Sequence, residues 1–110
     1  MRDCRLYLKD IVAAMDDIEN FLGGMNREAF DSDKKTFSAV VRQLEIIGEA
    51  AKQVPDEIRK TRPDVPWSEM AGMRDRLIHA YFGVDQDLVW QAVTERMPKV
   101  KPLLLEMLDS

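Results

Sequence analysis

The sequence predicts an all-α fold, an up-and-down bundle of four or five helices in one domain spanning 1–110, on three observations. Apolar residues recur at three- and four-residue spacings in successive windows, which gathers them on one face of a helix. Glycines and prolines fall between those windows, where helices end. No window alternates with the two-residue period of a strand, and no Asn-Gly hairpin signal is present.

The first helix rests on Leu8, Ile11, Met15, Ile18 and Leu22, and Gly23-Gly24 closes it. After a short link, Asp31, Ser32 and Asp33 offer oxygens that can cap the next helix. Phe37, Val40, Leu44, Ile47, Ala51 and Val54 then follow a near-heptad pattern up to Pro55. Val41, Ile46 and Ala50 lie off that stripe, so this helix is apolar over a wide arc and is expected to meet more than one neighbour, a dimer partner among the candidates. Gly48 sits in its middle, where glycine costs about 1 kcal/mol relative to alanine. Close approach of another backbone is the usual reason to keep it.

Asp56-Glu57-Ile58-Arg59-Lys60 reads as a short helix that ends at Arg62-Pro63, because the residue before a proline avoids helical angles. A third long helix begins near Trp67 and runs to Gly83. Asp85 is expected to cap a fourth, carrying Leu88, Val89, Ala92, Val93 and Met97, with Pro98 kinking or splitting it before Val100, Leu103, Leu104, Met107 and Leu108 resume the pattern.

Bulk properties narrow the function classes. The chain is 45% hydrophobic and 33% charged, well away from the composition of disordered segments. No apolar run approaches the roughly 20 residues needed to cross a bilayer, and the N-terminus lacks the apolar stretch of a secretory signal, so a cytoplasmic location without membrane contact is expected. Cys4 is the only cysteine and has no partner for a disulfide. His79 is the only histidine, which removes most zinc sites and leaves no metal or other cofactor to be expected. The formal charge of −4 argues against general electrostatic binding of nucleic acid. The excess acid lies within residues 1–33, however, which leaves room for a local basic surface around Arg59, Lys60, Arg62, Arg74 and Arg76.

The segment Arg74-Asp75-Arg76-Leu77-Ile78-His79-Ala80-Tyr81 carries the chemistry. At about 100° per residue, Met70, Leu77, Ile78, Ala80 and Tyr81 are read on the side of Arg74, so the arginine interrupts an apolar face and needs an anion, a carboxylate or carbonyls there. Asp75 and His79 are one turn apart, and the carboxylate can hold the imidazole and set its tautomer. Arg74 and His79 stand about 140° apart around the axis. They converge across the side of the helix or when a second copy faces the first. An imidazole can accept and return a proton near neutral pH, and a guanidinium can bind a phosphate and its developing charge. Those are the functions that attack of an RNA 2′-hydroxyl on its neighbouring phosphate requires, with no metal. At an arbitrary site the same spacing arises by chance, and Tyr81 alone would be read as a core aromatic.

Arg74-x4-His79-x-Tyr81 resembles the Arg-x4-His-x-Tyr motif of the HepT ribonuclease toxins, in the HEPN superfamily. Met73 to Asp85, Arg42-Gln-Leu-Glu-Ile-Ile-Gly-Glu-Ala50, Val65-Pro-Trp67 and Val89-Trp90 are similar to the family too. Asp75 and Gln43 stand where asparagine is common. The resemblance implies a HEPN-like helical homodimer with a composite cleft, in which Arg74 and His79 are the catalytic residues of a metal-independent endoribonuclease acting on tRNA or mRNA, with Asp75 in support. It further implies the toxin of a type VII toxin-antitoxin system, neutralised when an MntA-type minimal nucleotidyltransferase transfers AMP from ATP to Tyr81. A non-catalytic helical partner that presents substrate to such a nucleotidyltransferase is the alternative.

Overall fold

A computed structural model describes residues 3–79 and 86–109 and bears out the all-α bundle, with no strand among the described residues. The first helix, α1 (Cys4–Leu22), starts where the Asp3 carboxylate accepts the Arg5 N–H at 3.0 Å. It ends as expected: Gly23 and Gly24 take φ of 51° and 81°, a left-handed turn that other residues adopt at a cost. Its inward stripe is Leu8, Ile11, Ala14, Met15 and Ile18.

The next element, α2 (Arg27–Ser32), falls where the sequence pattern suggested only a link. Six residues are too few to show a period. The helix is instead held by a cap, Asn26 accepting the Ala29 N–H at 2.9 Å, and by burial of Phe30, whose ring lies 5.6 Å from Phe37 and 5.2 Å from Trp90. Of the three capping candidates before α3 (Lys34–Gln53), Asp33 does the work, accepting from the Thr36 N–H at 3.0 Å and from its hydroxyl at 2.9 Å. These bonds hold the Asp33 carboxyl below its ordinary range, the Thr36 backbone N–H contributing most.

Helix α3 is the centre of the bundle. Val40, Leu44, Ile47 and Ala51 are buried, while Val41 and Ile46, off that stripe, are half-buried, and α3 packs against both α1 and α5 (Trp67–His79). Between them, α4 (Asp56–Arg59) follows Pro55. Trp67 opens α5, with its indole N–H donating to the Arg62 carbonyl at 3.0 Å. The expected continuation to Gly83 and the expected cap at Asp85 lie outside the described residues.

The chain resumes in α6 (Gln86–Gln91), widens into a π turn (Ala92–Arg96) and continues as α7 (Met97–Asp109). In the π turn the Met97 N–H reaches the Ala92 carbonyl, five residues back. Pro98, expected to kink or split this helix, is the second residue of α7. In a regular turn its ring would press on the carbonyl of Thr94, and the wider turn just upstream relieves that clash. With α6, the π turn and α7 counted as one run, the described residues hold six helices, and α2 is the one beyond expectation. None is long and apolar enough to cross a membrane.

Candidate active site

The crossing of α3 and α5 builds the site, and Gly48 sets how close the two helices come. A Cβ at this position would stand 2.9 Å from the Arg74 Cβ, 3.0 Å from the Met70 carbonyl oxygen and 3.3 Å from the Arg74 nitrogen. Real side chains do not sit so near. The close backbone approach anticipated from a mid-helix glycine is therefore made by α5, at the turn that carries Arg74.

Arg74 lies at the edge of the buried face of α5. Met73 and Leu77 point into the core at 7% and 3% exposure, whereas the Arg74 side chain remains 37% exposed. The guanidinium that interrupts the apolar face is thus half open, and a carboxylate, one of the partners expected for it, stands beside it. Its Nε stands 3.2 Å from Oε2 of Glu49, the residue that follows Gly48. Asp75 lies farther off, 3.9 Å from Nη1, and accepts instead from Lys52 Nζ at 3.3 Å. Glu49, Arg74, Asp75 and Lys52 form a chain of alternating charge across the two helices.

Beside Arg74 opens a cleft of about 280 Å³ between α1, α3 and α5. Arg74 and Arg42 face the carboxylates of Asp10, Glu45 and Glu49 across it. Arg42 pairs with Glu45 at 3.4 Å along α3. His79 is the last described residue of α5, so its backbone place is known, while its side chain and the whole of Tyr81 lie outside the described part of the structure. The predicted contact of Asp75 with the imidazole falls there too. Among the described residues no group of three or more His, Cys, Asp or Glu is placed to hold a metal ion.

Two of the five cations of the local basic surface suggested by the sequence are engaged by internal partners, while Lys60 and Arg76 are exposed. Arg59 turns back to the end of α3, donating to the carbonyls of Val54 at 2.8 Å, Lys52 at 2.9 Å and Ala51 at 3.2 Å. Arg62 is held by Asp64 and Glu106. Glu49 and Lys52 were not singled out from the sequence. Glu49 does fall within the stretch Arg42 to Ala50, and its place next to a close-contact glycine was the available signal.

A family profile described as "Ribonuclease HepT-like" matches residues 11–107. The chain belongs to this HepT-like family. A protein of Thermococcus cleftensis described as "Probable ribonuclease HepT" is 52% identical over 95 residues, 86% of each chain. One from Methanocaldococcus jannaschii described as "Putative RNase" is 48% identical over 100 residues, 91% of this chain and 86% of that one. A third relative, from Caldanaerobacter subterraneus and also described as "Putative RNase", is 40% identical over 109 residues, 99% and 97% of the two chains. No solved structure matches significantly.

Proposed function

We propose that this chain is an RNA-cleaving toxin, a metal-independent endoribonuclease in which Arg74 and His79 act together. The observation that carries the reading is the position of Arg74: a guanidinium beside an open cleft, on the same helix as His79, in a HepT-like chain whose relatives bear ribonuclease names.

The imidazole of His79 takes the proton of an RNA 2′-hydroxyl, whose oxygen attacks the adjacent phosphorus as the bond to the 5′ oxygen breaks. The products are a 2′,3′-cyclic phosphate and a 5′-hydroxyl, the leaving oxygen taking its proton from a histidine imidazolium of the paired site. Arg74 binds the phosphate oxygens while charge gathers on them. Because the two residues stand about 140° apart on one helix, we assign the complete site to a homodimer in which facing copies of α5 contribute two arginines and two histidines. Asp75 acts in support. Control comes from an MntA-type nucleotidyltransferase of a type VII toxin-antitoxin pair, which adds AMP to Tyr81. That adduct brings bulk and negative charge to the RNA-binding cleft.

Purified protein is expected to cleave tRNA or mRNA in the cytoplasmic ionic range without added metal, and His79→Ala to lose that activity. Equal cleavage by both removes His79 from the mechanism. Incubation with the cognate nucleotidyltransferase and ATP should raise the intact mass by AMP units, and Tyr81→Phe should take up none. One observation favours the non-catalytic alternative: the cleft holds three carboxylates against two guanidiniums, unusual beside a polyanion. Expression of this chain alone separates the two readings. Growth arrest that Arg74→Ala abolishes supports the nuclease, and harmless expression of the wild type supports the passive partner.

A further inference from the structure

We propose that Glu49 is a positioning residue for Arg74: from α3 it holds the Nε side of the guanidinium, so that the Nη1–Nη2 edge is presented to a phosphate. This inference rests on the reading of Arg74 as the phosphate-binding arginine, and it adds a residue that lies outside the Arg74-to-Tyr81 segment.

Three observations carry it. First, the pair is a product of the helix crossing. Gly48 lets α5 approach until Arg74 lies against the α3 backbone, and Glu49 is the next residue along, with its Oε2 3.2 Å from Arg74 Nε. Second, the rival carboxylate is otherwise engaged. Asp75 neighbours Arg74 in sequence, yet it stands 3.9 Å away and accepts from Lys52. Glu49 is therefore the nearer anion to the guanidinium. Third, both partners are substantially exposed, at 37% and 54% for Arg74 and Glu49. An ion pair so open to water contributes little to stability, so fold maintenance is a poor account of it. What the pair does supply is order in a long side chain that would otherwise sample many rotamers at the mouth of the cleft. A guanidinium presents two separate forks of donors, and a carboxylate at Nε leaves the outer fork for bidentate contact with two phosphate oxygens.

The opposite role makes the opposite forecast. If Glu49 competed with RNA for Arg74, removing its charge would tighten substrate binding. The test is steady-state cleavage of a short fluorescent RNA by the full chain carrying Glu49→Ala, Glu49→Gln, Arg74→Ala and the double change Glu49→Ala with Arg74→Ala. Melting curves accompany each variant. Glu49→Ala should lower kcat about tenfold or more with KM within about twofold, and Glu49→Gln, which keeps an acceptor oxygen, should recover most of the loss. In the Arg74→Ala background the second change should add nothing, because there is no guanidinium left to orient. A fall in KM with kcat retained, or an equal loss in both backgrounds, overturns the positioning role. Unchanged cleavage by Glu49→Ala beside an inactive Arg74→Ala overturns this inference alone. Full activity in Arg74→Ala overturns the functional reading and this inference with it.

Discussion

Arg62 and Arg74 are both arginines paired with two carboxylates, and the way they are paired separates a structural cation from one available to a ligand. Arg62 is used up. Its Nε and Nη2 grip the two oxygens of Asp64 at 3.0 and 2.9 Å, and Nη2 also reaches Glu106 at 2.9 Å, tying the segment before α5 to α7. These bonds raise its affinity for its proton and lower that of Asp64. Arg74 is held more loosely, by ion pairs at 3.2 and 3.9 Å, at the rim of a cleft and with more of its side chain in water. Bidentate hydrogen bonding to one carboxylate and a further bond to a second mark the first as a brace. Spare donors beside open space mark the second as a binding group.

The contrast is broken most directly by removing each cation in turn. Arg74→Ala should lower single-turnover cleavage by about 100- to 1,000-fold, as loss of a charge-stabilising donor commonly does, while the melting temperature hardly moves. Cleavage near the wild-type rate would put Arg74 in the same class as Arg62. Gly48→Ala tests the crossing that seats Arg74. The added methyl overlaps the α5 backbone, and overpacking of about 1–3 kcal/mol outweighs the helix-propensity gain of about 1 kcal/mol. Urea unfolding should show a lower midpoint, and a midpoint above wild type would contradict the close approach.

Arg62→Met, by comparison, should lower the thermal midpoint and leave the cleavage rate of correctly folded protein unchanged. A selective loss of activity would give Arg62 a part in the site. The smallest effect concerns acid. Asp33 and Asp64 both titrate below the ordinary aspartate value of 3.8 in the folded chain. A depressed carboxyl contributes stability that is complete above its unfolded value and lost as pH falls through the folded one. The melting temperature should therefore change little from pH 7 to 5 on account of these groups and decline below about pH 4. The decline should be shallower in Asp64→Asn, and an identical slope in that variant would remove Asp64 from the acid response.

The long helices were legible because each buries one stripe over several turns. Leu8 to Ile18 and Val40 to Ala51 carry their periods openly, and both stripes are buried. Gly48 was legible for a different reason, since an unfavourable residue in a good helix calls for a steric cause. Helix α2 was hidden because its stability comes from Phe30 meeting Phe37 and Trp90, contacts distant in sequence and absent from any local pattern. At the site, the sequence picked out Arg74, its need for an anion or carboxylate, and the neighbourhood of Asp75, but not how far the Arg74 side chain is covered. Helical periodicity locates the direction of a side chain and not how far the neighbouring helix extends over it. The partners Glu49 and Lys52 depend on where two helices cross, which no spacing within either helix records.

The π turn before Pro98 has a bearing on how length variation can be absorbed. One residue more than a regular turn requires is stored there, which rotates everything after it by about 100° relative to an uninterrupted α-helix. Val100 and Leu104, both buried, owe their inward direction to that stored residue. The turn thus acts as a phase adjuster between the half of the run that follows the motif and the half that closes the bundle. Deletion of one residue between Ala92 and Arg96 would shorten the chain by less than one per cent and let the run close as a regular α-helix, with the apolar stripe of α7 still facing inward.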